Sequence, residues 1–376
     1  MEVPYKSSIK EQEEEDQVTS NRKLAHLQIC LENDVQARSV KTGLDDISFT
    51  HKAITDLNLT DIDLSVEIFN KKLKIPLIIS GMTGGHNFSS KLNHYLSKAV
   101  DETNIGMGVG SQRAALEDFN LRESFEIVRK NAPNSLIIGN IGSGQIAIGL
   151  SKEEFREIID MIEANAVAIH FNPLQEAIQI EGDTNLSNLH SKISNIIQNI
   201  RTPVIAKEVG SGFSLSDIND IQNMKFSGID IQGVGGTSWA GVESIRANSS
   251  LLKKTGEIFW DWGIPTALST ILATRYFKGA IIGSGGVRNG LDVGKLLALG
   301  ADVAGMAIPF LFATQFNSSE PVVQLIHEIE YQLRLCCFLT GSRNLQELKK
   351  APLLITGKTA ECLRLYGINP KEFLNR

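Results

Sequence analysis

The stretch AIIGSGGVRNGLDVGKLLALGADVAGMA, residues 280–307, contains the clearest indication of the fold in this sequence. It begins with an apolar, β-branched run and passes through a glycine-rich turn into a helix-like segment that ends on Gly300. A second apolar run, at 301–307, follows directly. A short apolar run, a glycine turn, a helix ending on glycine and another apolar run make up the repeating unit of parallel α/β proteins.

The same unit repeats upstream of this stretch. One intervening segment, SKEEFREIIDMIEAN, begins with Ser151 three residues before Glu154, which is the spacing of a helix capping box. The chain therefore has eight strand and helix units over roughly 240 residues, which favours an α/β fold, the (β/α)8 TIM barrel, over an open doubly wound sheet. The six further apolar runs are LIISGM at 77, IGMGVG at 105, LIIGNIG at 136, AVAIHFN at 166, PVIAKEV at 203 and GIDIQGV at 228.

The bulk composition limits what the chain can bind. Its 376 residues are 42% hydrophobic and 21% charged, which is ordinary for a globular protein with a large core. A formal net charge of -6 excludes a dedicated nucleic-acid binder, because such proteins need surplus cations to neutralise phosphates. No run reaches the roughly 20 apolar residues of a membrane span, and the N-terminus lacks the apolar core of a signal peptide. We therefore expect a soluble, cytoplasmic protein without a membrane partner.

The cysteines give no sign of a disulfide framework or a metal site. They form no CxxC pair and have no metal-ligand spacing with histidine. We interpret them as reduced, packed thiols of a cytosolic protein. They are Cys30, Cys336, Cys337 and Cys362.

The segments outside the repeat are interpreted as additions to one domain. Residues 1–20 contain the acidic run EQEEED and are predicted to be a disordered lead-in, and residues 21–376 to be a single barrel domain. DLSVEIFNKKLKIP has two alternating runs around Asn70 and Lys71, which predicts a hairpin across the bottom of the barrel. After the eighth strand, PVVQLIHEIEYQLRLCCFL predicts one long helix, followed by a short tail packed on the same domain.

The ends of the seventh and eighth strands predict a phosphate site. In a (β/α)8 barrel the C-terminal ends of the strands converge on one mouth, and polar or glycine clusters follow every strand of this chain. The loops at 283–290 and 304–307 occupy the positions of the phosphate site of this fold, where backbone N–H groups and a helix N-terminus hold the anion. Arg288 would add a charge-assisted contact. Glycine turns without a ligand remain the alternative.

Lys207 interrupts the otherwise apolar strand PVIAKEV. A lysine that points into a barrel without a counter-charge is costly, so we expect its ammonium to reach an anionic or electron-rich partner at the mouth. Beneath the pyrimidine ring of a flavin, such a cation would stabilise the negative charge of the reduced form. The alternative is a lysine that faces outward and pairs with Glu208.

The fourth strand ends in HFNPLQEAIQIEGD, a row of polar side chains at 170–183. Four of them can bind an oxyanion or a hard cation, although a satisfied structural histidine is the alternative for His170. Glu176 suits a monodentate Mg²⁺ ligand, since this ion uses one or two carboxylates together with phosphate oxygens and water. The row comprises the candidates His170, Asn172, Gln175 and Glu176 and the predicted surface charges Glu181 and Asp183.

The ends of the first three strands carry weaker candidates. Hydroxyls and amides at such positions usually cap backbone groups, so each has little weight alone. Their value lies in the ensemble around one mouth. They are Met82, Thr83, Gly84 and Gly85 after strand one, Ser111, Gln112 and Arg113 after strand two, and Asn140 after strand three.

The segment RKLAHL places Arg22, Lys23 and His26 together, outside any barrel unit. One interpretation is a solvated basic turn. The other is an arm folded over the barrel mouth to clamp a diphosphate, with a planar guanidinium and a point charge on the same anion.

Ten motifs in this order carry a family resemblance: RKLAH, TGLDDISFTH, SGMTGG, MGVGSQRAALED, GNIGSGQ, HFNPLQE, AKEVGSG, GGTSWAGVE, DWGIPT and SGGVRNGLDVGKLLALGADVAGMA. With them the chain, from about residue 21 to about residue 357, closely resembles the type 2 isopentenyl-diphosphate isomerase family, which depends on FMN. SGGVR alone is shared with many FMN barrels. MTGG combined with HFNPLQE and an N-terminal RKxxH is specific.

The resemblance implies a barrel that binds FMN at its mouth and interconverts isopentenyl and dimethylallyl diphosphates with Mg²⁺. The flavin must be reduced, with NAD(P)H as the electron source, although the reaction has no net redox change. The family also implies a homotetramer or homo-octamer. By motif, the catalytic residues are Gln175, Lys207 and His170; the substrate contacts are Arg22, Lys23, His26, Arg113, Asn172 and Gln175; the metal ligand is Glu176; and the FMN contacts are Gly81, Met82, Thr83, Ser111, Asn140, Lys207, Thr237, Gly286, Val287, Arg288, Ala304 and Gly305.

Two positions depart from the family pattern. Gln232 stands where many relatives have a small residue, often serine, so whether residue 232 contacts the flavin stays open. Leu24 and Ala25 stand where relatives often carry acidic residues before His26, which loosens the assignment of the arm.

Three rival functions on the same fold lack support in the sequence. A 2-hydroxy-acid oxidase needs a histidine base and an arginine for the substrate carboxylate near the end of strand seven or before it, and DWGIPTALST at 261–270, before that strand, supplies neither. An inosine-monophosphate dehydrogenase needs a nucleophilic cysteine in a mouth loop, and no cysteine lies in one. An inactive phosphate-binding scaffold is disfavoured by the presence of Lys207, Gln175 and Glu176.

Overall fold

The computed structural model describes residues 22–376, and the predicted disordered lead-in at 1–20 lies outside the described residues. The front segment precedes the barrel and packs on it. It consists of helix α1 at 22–32, strands β1 (Ile47–Phe49), β2 (Val66–Ile68) and β3 (Lys71–Leu73), and short 3₁₀ turns at Leu44–Asp46 and Leu59–Asp61.

β2 and β3 form the predicted hairpin, but its turn lies one residue earlier than expected. Phe69 and Asn70 have φ values of 48° and 59°, and Lys71 already pairs with Ile68 in the antiparallel ladder. Two successive residues with positive φ match the requirement of a two-residue type I′ turn. The hairpin contributes Ile68 and Leu73 to the apolar cluster inside the barrel, which places it across the bottom as predicted.

Eight parallel strands close into a barrel, which confirms the predicted (β/α)8 fold. Each strand pairs with the next along the chain, and the eighth pairs with the first. The barrel strands are β4 (Leu77–Ile79), β5 (Gly106–Gly108), β6 (Leu136–Gly142), β7 (Ala166–His170), β8 (Val204–Lys207), β9 (Gly228–Asp230), β10 (Ala280–Ser284) and β11 (Val303–Met306).

Helices follow the barrel strands and cover them. The capping box predicted at Ser151 is present, with its hydroxyl accepting from the backbone N–H of Glu154 at 3.1 Å. The helices are α2 (Asn87–Thr103), α3 (Arg113–Glu117), α4 (Glu123–Asn131), α5 (Ser143–Ile148), α6 (Lys152–Met161), α7 (Pro173–Ile178), α8 (Leu189–Gln198), α9 (Leu215–Asn223), α10 (Trp239–Arg246), α11 (Ser250–Ile258), α12 (Thr266–Tyr276), α13 (Gly290–Ala298), α14 (Ile308–Ala313), α15 (Glu320–Thr340), α16 (Leu345–Leu348) and α17 (Gly357–Leu365), with 3₁₀ turns at Phe119–Leu121, Thr314–Phe316 and Pro370–Phe373.

The C-terminal segment returns to the front segment. α15 spans 21 residues and confirms the predicted long helix. Strand β12 (Leu353–Ile355) pairs antiparallel with β1, so that Ile47 lies opposite Ile355. The two ends of the described chain are therefore tied together beside the barrel. Across residues 22–376, no helix has both the length and the apolarity needed to cross a membrane.

Polarity inside the barrel changes from the bottom to the mouth. Inward-facing side chains recur at every second residue of a strand. On β6 the buried Ile138 is followed two residues on by Asn140, and on β8 the buried Ile205 is followed by Lys207. The apolar residues form the cluster that the hairpin covers, and the polar residues border the mouth. The fold thus gives the mouth a polar floor supported by an apolar core.

Candidate active site

One cavity of about 1570 Å³, counting its open mouth, lies at the C-terminal ends of the barrel strands. The ends of all eight strands and helix α1 line it. Three predicted residues are absent from the lining: Ala304 and the weaker candidates Gly85 and Gln112. Ala304 faces outward on β11 while Gly305 faces inward. The predicted residues that line the cavity are Arg22, Lys23, His26, Gly81, Met82, Thr83, Ser111, Arg113, Asn140, His170, Asn172, Gln175, Glu176, Lys207, Thr237, Gly286, Val287, Arg288 and Gly305.

The loop after β10 packs closely on the loop after β9. Gly285 and Gly286 have φ values of 105° and 69°, which favour glycine. A Cβ on Gly285 would lie 2.3 Å from the carbonyl oxygen of Gly233, and one on Gly286 would lie 2.4 Å from that of Gly235. Side chains are therefore excluded here, and a ligand can approach the backbone of this loop.

Arg288 lies at the end of the same loop, ahead of α13. Its Nη2 donates to Gln36 Oε1 at 2.8 Å, and its Nη1 donates to the carbonyl oxygen of Val287 at 3.0 Å. Burial lowers the pKa of Arg288, while the charge of Asp292 opposes the shift. A guanidinium fixed in this way can add a charge-assisted contact to an anion in the loop.

Lys207 faces inward, as predicted, and the alternative of an outward lysine is wrong. It is 7% exposed, and its Nζ donates to the carbonyl oxygen of Glu208 at 2.8 Å. Burial lowers the pKa of Lys207, and the charges of Asp230 and Glu208 oppose this shift. The ammonium therefore lies in the cavity floor, where an electron-rich ligand would gain from its charge.

Glu208 holds the loop after β8 in place. Its Oε2 accepts from the backbone N–H groups of Val209 at 2.6 Å and Gly210 at 2.5 Å, and also from those of Ser211 and Gly212. Burial raises the pKa of Glu208 to about 7, against the effect of these N–H groups and of Lys207. The carboxylate thus turns away from the cavity and fixes the backbone that lines it.

His170 lies beside Lys207 in the β7–β8 register, and its Nδ1 is 2.9 Å from Asn140 Oδ1. Because Asn140 Nδ2 donates to the carbonyl oxygen of Val109 at 3.0 Å, Asn140 Oδ1 must accept, and His170 carries its proton on Nδ1. Burial and the charges of Lys207 and Lys23 lower the pKa of His170 to about 3. His170 is therefore neutral near pH 7 and has no positive charge to offer an anion.

Three of the strand-four candidates form one cluster at the start of α7. Asn172 Nδ2 donates to Gln175 Oε1 at 3.1 Å and to Glu176 Oε1 at 2.8 Å. Glu176 Oε2 accepts from the backbone N–H of Asp183 at 2.8 Å. The carboxylate of Glu176 is held in place at the cavity edge. Among the described residues no group of three or more His, Cys, Asp or Glu side chains surrounds a possible metal position.

The two predicted surface charges behave differently. Glu181 is exposed and pairs with Arg246 at 2.7 Å, in agreement with the prediction. Asp183 is half-buried and accepts from Arg113 Nη1 at 3.3 Å and from Gln145 Nε2 at 3.2 Å. The surface interpretation is therefore wrong for Asp183, which orients an arginine of the cavity wall.

The arm folds over the mouth, as the second of its two interpretations predicts. Lys23 Nζ donates to the carbonyl oxygen of Ser111 at 2.9 Å. Burial and the charges of Arg22 and Arg113 lower the pKa of Lys23 to about 7, against the opposing charge of Glu117. In the orientation that lets the Gln179 NH₂ group donate to Glu243 Oε1, the Gln179 side-chain oxygen accepts from Arg22 Nη1 at 2.9 Å.

Glu243 is the main residue that sequence reasoning missed. It is 1% exposed, and its Oε1 lies 2.8 Å from His26 Nε2 and 3.3 Å from Gln175 Nε2. Burial would raise the pKa of Glu243, but the hydrogen bonds and charges of His26 and Arg246 outweigh it, and the pKa is lowered. A single carboxylate thus joins the arm to the strand-four cluster. The available signal was a glutamate among the small, buried residues of GGTSWAGVES.

Cys30 also lies nearer the site than expected. It lines the cavity from α1, next to Leu27, although the mouth loops contain no cysteine. Burial raises the pKa of Cys30 to about 12, so it stays a thiol and is no nucleophile near pH 7. With Met82, Leu311 and Trp239 it gives the cavity an apolar wall opposite the polar floor.

Comparison with known proteins gives a consistent family and fold. A family model described as FMN-dependent dehydrogenase matches residues 156–355. The chain is 42% identical over 357 residues to an isopentenyl-diphosphate delta-isomerase of Methanosarcina mazei, covering 94% of this chain and 97% of the relative. It is 43% identical over 349 residues to one of Archaeoglobus fulgidus, covering 93% and 99%.

Solved structures with the same architecture are flavoenzymes of low sequence identity. The recombinant flavin-binding domain of baker's yeast flavocytochrome b2 has a TM-score of 0.64 at 15% identity, covering 86% of this chain and 80% of that chain. Mandelate oxidase with (S)-2-phenylpropionate has a TM-score of 0.62 at 11% identity, covering 91% and 97%. At these identities the likeness establishes the fold.

Proposed function

The chain belongs to the type 2 isopentenyl-diphosphate delta-isomerase family, and from that membership we propose that it interconverts isopentenyl and dimethylallyl diphosphates with reduced FMN as acid/base cofactor and Mg²⁺ on the diphosphate. The observation that carries this proposal is the composition of one cavity. Its floor holds Lys207, one side is the glycine loop at 285–288, and the other side presents Arg22, Lys23 and Glu176. A flavin needs the cation in the floor and close access to the glycine loop, and an isoprenoid diphosphate needs the cations and the carboxylate on the other side.

The residues present fit FMN. Gly285 and Gly286 have no room for side chains, so the backbone of this turn borders the cavity directly, which suits a phosphate group near the N-terminus of α13. Lys207 offers an ammonium that donates to a carbonyl oxygen and, within residues 22–376, binds no carboxylate directly. When bound, reduced FMN supplies an electron-rich face and a nitrogen that can give and retake a proton.

The arm residues support the binding of a diphosphate. Arg22 and Lys23 come from α1, and Arg113 from the start of α3, where Asp183 orients it. Burial and the charges of neighbouring cations lower the pKa values of Arg22 and Lys23, and a bound anion would oppose both shifts. Because a five-carbon tail offers little to grip, diphosphate binding energy must position the reacting carbons.

Glu176 fits a Mg²⁺ site that the substrate completes. The described residues provide no cluster of several carboxylates, and Mg²⁺ typically takes one or two carboxylates with phosphate oxygens and water. Glu176 is held by Asn172 and by the backbone of Asp183, which leaves its carboxylate at the cavity edge. Mg²⁺ at this position would neutralise part of the diphosphate charge.

The chain's own residues would orient the hydrocarbon tail and exclude water. Moving the double bond requires a proton added at one carbon and another removed from a second, through a state with cationic character. Gln175, fixed by Asn172 and Glu243, is placed to orient the substrate, since an amide is a poor acid near neutral pH. The apolar wall, with Leu27 and Trp239, would shield the reacting carbons from water.

We also propose the flavin reductant, the cellular location and the oligomeric state. NAD(P)H would reduce the flavin, and the enzyme would act as a cytoplasmic homo-oligomer, a tetramer or octamer, without nucleic-acid or membrane partners. A 2-hydroxy-acid oxidase is the main competing function, because the structural neighbours include mandelate oxidase. Residues 261–270 contain no histidine or arginine for it.

Product analysis under two redox conditions tests the proposed function. We expect the purified protein to show a flavin spectrum and to convert isopentenyl diphosphate only after anaerobic reduction with dithionite in the presence of Mg²⁺. Absence of dimethylallyl product under reducing conditions would reject the isomerase proposal. Turnover of a 2-hydroxy acid by the oxidised protein would favour the competing oxidase instead.

Glu176→Gln should raise the Mg²⁺ concentration needed for half-maximal activity by about tenfold or more, because a neutral amide is a poor ligand for this hard cation. The measurement is a Mg²⁺ titration of kcat/KM with reduced FMN. Glu153→Gln, an exposed change in α6, serves as the control and should leave the titration unchanged. An unaltered Mg²⁺ requirement in Glu176→Gln would exclude its ligand role.

Affinity for the diphosphate should weaken as the pH rises above about 7. Lys23 has a pKa of about 7, and a bound diphosphate would raise it, so above pH 7 binding must also recruit a proton. The expected slope approaches tenfold in KM per pH unit, the limit for uptake of one proton. Lys23→Arg keeps its charge throughout and should flatten the profile between pH 7 and 9. The same slope in wild type and Lys23→Arg would refute the role of Lys23.

A further inference from the structure

A buried hydrogen-bond network below the mouth has no part in the function described so far. Asp230 ends β9 with its side chain inside the barrel, is 6% exposed and lies opposite Lys207 in the β8–β9 register. The donors to its carboxylate are neutral: the hydroxyl of Ser284 and the amide of Gln232. A buried carboxylate held in this way can fix the orientation of its donors.

The direction of each hydrogen bond in the network follows from the donors available. The backbone N–H of Gln232 donates to Ser284 Oγ at 2.8 Å, so the Ser284 hydroxyl hydrogen is directed onward to Asp230 Oδ1. Asp230 therefore accepts. Gln232 Nε2 donates to Asp230 Oδ1 at 3.1 Å and to Ser80 Oγ at 3.1 Å. Asp230 thus fixes the NH₂ group of the Gln232 amide toward the barrel interior.

The other end of the amide, Gln232 Oε1, lies on the side of the barrel mouth. Gln232 lines the main cavity, whereas Asp230 lines only the smaller cavity beneath it. Within residues 22–376, Gln232 Oε1 accepts no hydrogen bond, while both hydrogens of its NH₂ group have acceptors. Gln232 also has a φ of 42°, a strained conformation for a residue with a side chain, which persists where the surroundings enforce it.

We propose that Asp230 is a positioning residue of the FMN site, which holds the Gln232 amide so that its Oε1 accepts a hydrogen bond from an N–H or O–H group of the flavin. This inference rests on the proposed function. A serine at position 232 could donate or accept, but a glutamine locked by Asp230 can only accept. The partner is therefore a donor, either a ring N–H or a ribityl hydroxyl.

Titration of the apoprotein with oxidised FMN, followed by flavin fluorescence, tests this inference. Gln232→Leu removes the acceptor without touching the buried carboxylate and should raise the Kd for FMN about tenfold, the effect of losing roughly one hydrogen bond. Asp230→Ala removes the oxygen that accepts from both Ser284 and the Gln232 amide. The Gln232 amide then loses the acceptor that fixes its orientation and is free to turn over, with a similar loss of affinity.

The double variant separates positioning from general damage. If Asp230 acts through Gln232, then Asp230→Ala combined with Gln232→Leu should bind FMN within about twofold of Gln232→Leu alone. If the losses of FMN affinity in the two single variants multiply in the double variant, the inference is wrong. A Kd for Gln232→Leu within twofold of wild type would also overturn it. Gln198→Leu, an exposed change at the end of α8, is the matched control and should bind FMN like wild type.

A flavin analogue tests one candidate donor, the ribityl 2′-hydroxyl. With 2′-deoxyribityl FMN, a 2′-hydroxyl donor predicts that wild type loses affinity while Gln232→Leu loses no more, and a donor elsewhere on the flavin predicts the same variant effect for FMN and analogue. Both outcomes support an acceptor at residue 232. Failure of wild type to bind FMN at all would instead reject the proposed function, so the two failures are distinguishable.

Discussion

Replacing Lys207 with methionine is expected to lower kcat about 10²–10³-fold, the usual cost of removing one preorganised electrostatic contact from a reacting centre. The ammonium lies in the cavity floor, with the Glu208 carbonyl oxygen as its hydrogen-bond acceptor. Beneath a reduced flavin it would stabilise negative charge, so the midpoint potential of bound FMN should become more negative. The apoprotein should be no less stable than wild type, because burial of this lysine is unfavourable, as its lowered pKa indicates.

Three measurements check this prediction: anaerobic kcat with reduced FMN, the flavin midpoint potential and the thermal unfolding midpoint of the apoprotein. Lys98→Met, which changes an exposed lysine of α2, is the control and should alter none of them. An unchanged kcat and potential in Lys207→Met would remove the lysine from the flavin site. A large fall in the unfolding midpoint would assign it a structural role.

Glu243→Gln should lower kcat/KM about 100-fold, the cost of displacing catalytic groups by roughly 1 Å. The Glu243 carboxylate accepts from His26 and Gln175 on Oε1 and from Arg246 on Oε2 at 2.8 Å. An amide has only one acceptor oxygen, so one set of donors would face its NH₂ group. Breaking such a buried charge pair also costs about 3 kcal/mol of unfolding free energy.

Glu181→Gln is the matched control for Glu243→Gln. Glu181 binds the same Arg246 from the exposed side, and its loss should cost less than about 1 kcal/mol and leave KM unchanged. Steady-state kinetics and denaturant unfolding of both variants provide the comparison. If Glu243→Gln keeps wild-type KM and kcat, the carboxylate does not link the arm to Gln175, and the account of the arm is wrong.

The barrel was predictable because each strand carries the same local signal. Runs such as LIIGNIG and PVIAKEV combine β-branched residues with a polar or glycine end, and eight such runs leave few alternatives. The hairpin turn was misplaced by one residue because Phe69 adopts a positive φ that its residue type does not suggest. Ala304 was assigned to the cavity although strand alternation, with Gly305 inward, already placed it outside.

The site was predictable where a charge interrupts an apolar strand or several polar residues share a strand end. Lys207 and the cluster at 172–176 are such cases. Glu243 and Asp230 were missed because their partners are remote in sequence: His26 lies 217 residues from Glu243, and Ser284 lies 54 residues from Asp230. Only the closed barrel brings these groups together, so their pairing has no local signature. The role of Asp183 as a partner of Arg113, 70 residues away, was hidden for the same reason.

The central claim is that this flavin barrel moves a double bond without net oxidation, unlike a dehydrogenase or an oxidase. The most direct measurement is the ratio of dimethylallyl diphosphate formed to NADPH oxidised, in an anaerobic assay with isopentenyl diphosphate, Mg²⁺ and FMN. We predict a large molar excess of product over NADPH once the flavin is reduced. One NADPH consumed per product molecule, or no product with fully reduced flavin, would contradict the account.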